Sequence, residues 1–339
     1  MISVIIPVYN DEANLSECLK SICNCDYNKQ YEVIVYDDFS IDSSARIAES
    51  FGFKVIRSEI NNGPGIGRNI AVKHAKGDIL AFTDSDCVVP KNWLTIIEGI
   101  FSDPNIQAAA GKYSVSLNPQ FVSKYRMYES SFHIYREKAF VNTSSSNNLL
   151  CRKEAFLKSG GFGERRIAED LVFGYNLYKI GVNILLVPDL TVSHFCKTTL
   201  KEYIKQQYAW LKNILDVHMK YPETLNFKWP ANRGPLIYQL MIQIMMLPIC
   251  LLIFVWPLSF ALLLIVAFIA LFIMNYKYLV YVYKGENNSV KSLLITYSIT
   301  LLRNYAWILG ALAGIGCLRN AIILLKYLFV TRILRHKSS

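Results

Sequence analysis

The chain has 339 residues, 53% of them hydrophobic, with 36 Lys/Arg against 26 Asp/Glu. Residues 1–234 carry 27 of the basic and 25 of the acidic residues, whereas residues 235–339 carry 9 basic residues and one acid, Glu286. A near-neutral part followed by an apolar part with basic punctuation points to membrane lipid headgroups and excludes nucleic acid, for which no basic, aromatic-interleaved patch exists.

Eight scattered cysteines without zinc spacing fit reduced thiols. The N-terminus lacks the basic n-region of a signal peptide. "ISVIIPVYN" predicts a strand from residue 2, closed by the turn pair Asn10-Asp11. In "DEANLSECLKSIC", Leu15, Cys18, Leu19 and Ile22 share one helical face, with acids in the first turn. "YEVIVYDDFS" predicts a second strand ending in two aspartates, "DSSARIAESF" a helix and "FKVIRS" a third strand. "NNGPGIGRN", residues 61–69, follows with three glycines at alternate positions and Arg68. A Walker loop needs Lys and Ser/Thr after its last glycine, and a dinucleotide fingerprint needs G-x-G-x-x-G, so neither template fits. "GRNIAVKHA" then predicts a helix and "ILAFTDSD" a fourth strand. This alternation predicts an α/β fold with a mostly parallel, Rossmann-like sheet, whose ligands lie beyond the carboxyl ends of the strands. Those ends carry Asp37, Asp38, Asp84 and Asp86, four carboxylates that need a cation or hydrogen-bond donors to offset them.

Taken in order, "VIIPVYND", "VIVYDDFSIDSS", "NNGPGIGRN", "FTDSD" and "GGFGERRIAEDLVFGYNLYKIG" resemble the family 2 glycosyltransferases of GT-A fold, over roughly the first 210 residues. The resemblance implies a GT-A catalytic domain at residues 1–218. Asp84-Ser85-Asp86 suits Mg²⁺ or Mn²⁺ held with substrate phosphate oxygens, although a solvated turn would explain the acids alone. The family pattern puts Asp84 and Ser85 at the nucleotide sugar and Asp86 on the metal. It puts Asp38 on the nucleotide base, with Phe39 where the family has glycine, and Pro7, Tyr9 and Glu12 around base and ribose. Capping and turn roles explain the last three nearly as well. Gly63 and Gly65 would allow a turn and Gly67 close packing, so that Arg68 reaches the nucleotide pocket or pairs with a rim aspartate. Glu169-Asp170 opens a helical pattern; an acidic first turn is the simple reading. The resemblance makes Asp170 the base that takes the acceptor hydroxyl's proton, beside Glu169, with Gly163 where the family usually has Asp. His194 follows another predicted strand and is carried as a further metal ligand, against the structural role of most lone histidines. "QQYAW" resembles the Q-x-x-R-W of processive synthases with Ala209 in place of Arg, which favours single-sugar transfer. Gln207 and Trp210 are candidate acceptor contacts, or part of an amphipathic helix at the membrane surface.

Residues 219–235 read as an interfacial linker and 236–339 as a membrane region. Segments 236–256 and 258–276 carry no charge and are long enough to span a bilayer as a hairpin. Lys277, Lys284 and Lys291 then occupy a cytoplasmic loop, on the side of the catalytic domain. A third apolar segment, 292–316, has Arg303 at its centre. An intramembrane arginine is costly, so this segment is expected to be re-entrant or interfacial, bent at Gly310, Gly314 and Gly316, with Arg303 meeting a lipid-linked phosphate. Residues 317–339 form a basic amphipathic tail. The resulting expectation is a multi-pass, metal-dependent inverting transferase that moves one sugar from a nucleotide diphosphate donor, UDP-sugar favoured. The acceptor would lie at the cytoplasmic membrane face and be a lipid-linked glycan. The alternatives are a polyprenyl-phosphate sugar synthase, a processive polysaccharide synthase, and a non-catalytic nucleotide-binding membrane protein.

Overall fold

The computed structural model describes residues 1–133, 138–229, 238–246 and 257–315. These fall into two compact units. One comprises residues 1–119, 138–196 and 223–229; the other comprises 120–133, 197–222, 238–246 and 257–315.

The first unit is built on one sheet. Its strands are β1 (Ile2–Val8), β2 (Tyr31–Asp37), β3 (Lys54–Arg57), β4 (Ile79–Thr83), β5 (Cys87–Val88), β6 (Ala108–Ser116), β7 (Ala139–Val141), β8 (Asn148–Arg152) and β9 (Ile184–His194). The order is β3-β2-β1-β4-β8-β6-β9-β5, with β7 also on β9. The helices along the chain are α1 (Glu12–Cys23), α2 (Ser44–Ser50), α3 (Pro64–Lys73), α4 (Trp93–Phe101), α5 (Phe121–His133), α6 (Lys153–Ser159), α7 (Glu169–Lys179), α8 (Leu200–Lys220), α9 (helical over 238–246), α10 (Pro257–Gly285) and α11 (Val290–Ile315). All seven residues of β1 are buried, as a central strand covered on both faces requires. Val4, Ile6 and Val8 pack with α1 and α4 on one face, and Ile5 joins Ile34, Tyr36 and α3 on the other.

β3, β2, β1 and β4 run parallel, as the alternating pattern predicts. Beyond β4 the sheet is mixed, with β6 and β9 parallel to each other. β8 runs antiparallel to both β4 and β6, and β5 and β7 run antiparallel to β9. The antiparallel β4–β8 pairing makes the carboxyl end of β4 meet the amino end of β8, with Thr83 opposite Asn148. Helix α3 begins at Pro64, earlier than the predicted Gly67. Gly63 (φ 88°) stands before it and Pro64 takes the first helical position, where its missing N–H costs nothing.

The second unit is helical and draws α5 and α8 out of the predicted 1–218 domain, while residues 223–229 return to the first unit. Tyr125, Tyr203, Tyr278, Val282 and Ile299 form its apolar core. α10 continues past the predicted end at Tyr276 to Gly285, so Lys277 and Lys284 are helical and the connection to α11 is only residues 286–289. Ala261–Gly285 is long and apolar enough to cross a membrane. α11 is one unbroken helix, which corrects the bent, re-entrant expectation. Gly310 and Gly314 do not bend it: a Cβ on either would lie 2.5 or 2.7 Å from the carbonyl oxygens of Tyr208 and Lys212, so both serve close approach to α8. Most of the predicted first span (236–237 and 247–256), Gly316 and the basic tail lie outside the described residues.

Candidate active site

The glycine-rich stretch is a packing device for the segment that precedes α7. A Cβ on Gly65 would lie 2.5 Å from the Gly163 carbonyl oxygen, and one on Gly67 would lie 2.6 Å from the Tyr36 ring. Gly163, where an aspartate was expected, is itself pressed on Val172, 2.8 Å from where its Cβ would be. The next two residues of the stretch tie the same segment down. The Asn69 amide donates to the Phe162 carbonyl (2.9 Å) and accepts from the Phe162 N–H (2.9 Å).

Arg68 is 2% exposed and donates to Asp84 Oδ1 at 2.5 Å and to Glu169 Oε1 at 3.0 Å. Its guanidinium also lies 5.2 Å from the Phe162 ring centroid. The expected pairing with a rim aspartate is thus present, but buried and shared with Glu169. Ser146 Oγ adds a 3.3 Å bond to Glu169. Arg68 therefore joins the end of β4 to the head of α7, and its own partner Glu169 lies 101 residues away in sequence.

Asp170 follows in the first turn of α7, after Ala168, which holds a left-handed φ of 65°. Its Oδ1 accepts from the Leu171 N–H at 2.8 Å. Burial and then the neighbouring Glu169 charge push its carboxyl up to about 7, against the lowering effect of Arg68. Burial likewise raises Glu169, with Arg68 opposing. A carboxyl poised near neutrality is what a general base requires.

At the end of β4, the antiparallel pairing of β5 with β9 sets Cys87 opposite His194 and so brings Asp86 beside His194. His194 Nε2 lies 3.2 Å from Asp86 Oδ2, Nδ1 lies 3.0 Å from Cys196 Sγ, and the ring meets Tyr113 at 4.9 Å between centroids. Burial disfavours the imidazolium, but the Asp86 carboxylate outweighs it and holds His194 at about 10. A partly exposed carboxylate and imidazole are suitable donors for Mg²⁺ or Mn²⁺, with water and phosphate oxygens completing the sphere. Cys87 Sγ falls in the same cluster. It is buried, with its thiol pushed well above the ordinary range, and is too soft a ligand for a hard cation.

The remaining predicted residues divide by what holds them. Ser85 Oγ donates to Asp11 Oδ2 at 2.6 Å. Asp38 accepts from the Asn62 and Gly63 N–H groups, each at 2.7 Å, so it anchors the glycine-rich stretch. It lies at the end of β2, which β1 separates from β4. Glu12 accepts from Ser43 N at 2.8 Å and so ties α1 to the start of α2. Pro7 is buried in β1, and Tyr9 is 51% exposed beyond it. Sequence reasoning missed Asp11, Asn69 and Ser146. Asp11 and Asn69 stand inside the quoted motifs, whereas Ser146 lies in a plain polar run, "NTSSSNN", with no periodic signal.

The three residues assigned to the acceptor or membrane side lie in the helical unit. Gln207 accepts from Trp307 Nε1 at 2.9 Å, and Trp210 carries the Arg126 guanidinium 4.8 Å from its ring centroid. Arg303 is buried and pairs with Glu129 and Asn304.

Residues 3–170 match the Glycosyl transferase family 2 profile. Glycosyltransferase AglE of Haloferax volcanii is 26% identical over 227 residues, covering 64% of this chain and 74% of AglE. Poly(ribitol-phosphate) beta-N-acetylglucosaminyltransferase TarS of Staphylococcus aureus is 41% identical over 98 residues, covering 27% of this chain but 17% of TarS. In fold, the chain resembles the mannosyltransferase PcManGT from Pyrobaculum calidifontis, solved with GDP-Man and Mn²⁺. The TM-score is 0.57 at 17% identity, over 93% of this chain and 86% of that one. With the family pattern matched from β1 to Asp170, and a mixed sheet that gathers its acids at the strand ends, this chain belongs to the family 2 glycosyltransferases of GT-A fold.

Proposed function

We propose that the chain is a metal-dependent inverting transferase. It would move one sugar from a nucleotide diphosphate donor, UDP-sugar favoured, to a lipid-linked glycan at the cytoplasmic membrane face. The observation that carries this reading is the Asp84–Arg68–Glu169 bridge. It joins the donor-side acids of β4 to the acid pair of α7 in one rigid site. Asp170 takes the acceptor hydroxyl's proton as that oxygen forms its bond to C1, and the bond from C1 to the phosphate oxygen breaks on the opposite face. Asp86 and His194 would hold the cation, which would offset the charge of the departing diphosphate. Positioning and fixed charge supply most of the rate gain.

A membrane location is supported by the helical unit. Its helices expose Leu262, Ile265, Phe268, Ile269, Leu302 and Leu309, while Glu129, Gln243, Arg303 and Asn304 are buried inside. Multi-pass anchoring by α10 and neighbouring helices is part of the proposal; among the described residues one helix, Ala261–Gly285, is long and apolar enough to cross a membrane.

The test is nucleoside diphosphate release from a panel of UDP- and GDP-sugars with Mn²⁺, for the wild type and Asp170→Asn. Release that falls at least 10³-fold in the variant, with Mn²⁺–UDP binding retained, supports the base assignment. Unchanged turnover in Asp170→Asn refutes it and favours a phosphate acceptor, which needs no base.

A further inference from the structure

Among the described residues, left-handed φ values outside glycine fall on Asn10, Asn287, Asn288, Phe39 and Ala168. Asparagine tolerates this region; phenylalanine and alanine do not. The two strained residues both stand at the site: Ala168 directly before Glu169–Asp170, and Phe39 (φ 69°) directly after Asp38. Strain of this kind persists only where the surroundings over-determine it, and it concentrates at ligand sites.

The surroundings of Phe39 do over-determine it. Asp38 N donates to Val8 O (2.8 Å) and Ser40 N to Asp37 Oδ1 (3.1 Å). Asn10 N donates to Ser40 Oγ (3.0 Å) and Ile41 N to Asn10 Oδ1 (2.9 Å). Glycine or asparagine would satisfy the same backbone without strain, yet the chain keeps a ring here and leaves it 47% exposed. Neither stability nor core packing accounts for that choice. The bonded loop opposite carries a second exposed aromatic, Tyr9.

The polar groups at this rim are already engaged by the protein. Both Asp38 oxygens hold the backbone of Asn62 and Gly63, and Asp37 holds Arg57 and Ser40. Aromatic faces are therefore what the end of β2 offers a ligand. Two strand spacings, about 10 Å, separate β2 from the Asp84–Asp86 end of β4. A ligand that spans the two ends would place its phosphates at one and a flat apolar group at the other.

We propose that Phe39 is a substrate-binding residue whose ring, with Tyr9, stacks on the nucleobase of the donor. This rests on the glycosyltransferase reading above. The test is calorimetric titration of the full chain with UDP, GDP, CDP, dTDP and inorganic pyrophosphate, each with Mn²⁺. The proteins compared are the wild type, Phe39→Asn, Phe39→Gly and Phe39→Tyr. Asparagine and glycine accept the backbone, so both variants fold. Their affinity for the nucleotide that the wild type binds should fall about tenfold, which corresponds to about 1.4 kcal/mol. Phe39→Tyr should keep that affinity, and pyrophosphate affinity should stay unchanged throughout. Unchanged nucleotide affinity in Phe39→Asn overturns the proposal, as does an equal loss for pyrophosphate. A wild-type chain that binds none of the four nucleotides overturns the glycosyltransferase reading, and this proposal with it.

Discussion

Arg68→Met removes the charge that joins the two acid groups while keeping an unbranched apolar stem. Its guanidinium is the buried partner of Asp84 at 2.5 Å and of Glu169 at 3.0 Å. Breaking a buried pair from one side costs about 3–5 kcal/mol, because the other charge stays behind. Asp84 is 31% exposed and can turn to water, whereas Glu169 is only 10% exposed, so the cost rests on Glu169 and falls near the lower figure. A domain with about 5–15 kcal/mol of stability still folds. The catalytic consequence has a definite sign. Asp170 stands at about 7 with Arg68 holding it down; as the proposed base it acts when deprotonated, so the rate should rise with pH through about 7. Without Arg68 both acid groups go higher, and the rising limb should move up by about one unit. At pH 7 kcat/KM then falls by up to roughly tenfold and recovers above pH 8. Thermal unfolding and pH–rate profiles of Arg68→Met, Glu169→Gln and the double variant provide the assay. The double variant buries no unpaired charge, so it should recover at least about 1 kcal/mol relative to additivity. Additive stabilities together with an unmoved pH limb would refute the bridging role of Arg68.

Mn²⁺ binding should release close to one proton near pH 7, because His194 is held protonated by Asp86 and must lose its proton to become a ligand. Calorimetry in two buffers of different ionisation enthalpy measures this release, and it should vanish in His194→Ala; zero release by the wild type would exclude His194 as a ligand. Two glycine substitutions should have opposite signs. Gly65→Ala forces a Cβ to 2.5 Å from the Gly163 carbonyl oxygen and should destabilise by about 1–3 kcal/mol. Gly99→Ala, in the middle of α4 with nothing within 4 Å, should stabilise by about 0.5–1 kcal/mol. Tm measurements decide both.

The half of the sheet whose strands end at Asp37, Asp38 and Asp84 was legible in the sequence. β1, β2 and β4 are continuous apolar runs, each closed by acids or turn residues, and burial on both faces of a central strand produces that pattern. The other half was not legible. β7 has three residues and β8 five, too short for a periodic signal, and nothing in the composition of β8 gives its direction. The spacing of the glycines in "NNGPGIGRN" fits neither phosphate-loop template. Their actual neighbours, Tyr36 and Gly163, lie about 30 and 100 residues away in sequence, where local reading has no access. Arg68 shows the same limit: the motif located it, but only the fold says which acids it joins.

Arg303 illustrates how a missing partner changes a topology. Read alone at the centre of an apolar segment, it is too costly to bury in a bilayer, so the segment was bent toward water. The acid that pairs with it, Glu129, is 174 residues earlier in α5, inside what reads as the soluble half. Once Glu129, Asn304 and Tyr203 surround it, the charge is compensated within the helical unit and α11 can continue unbroken for 26 residues. Its glycines then serve contact with α8 instead of a bend. The net charge of residues 235–339 could not reveal this. The compensating carboxylate belongs to a helix that composition assigned to the other domain, and the cost of a buried charge depends on the finished set of neighbours.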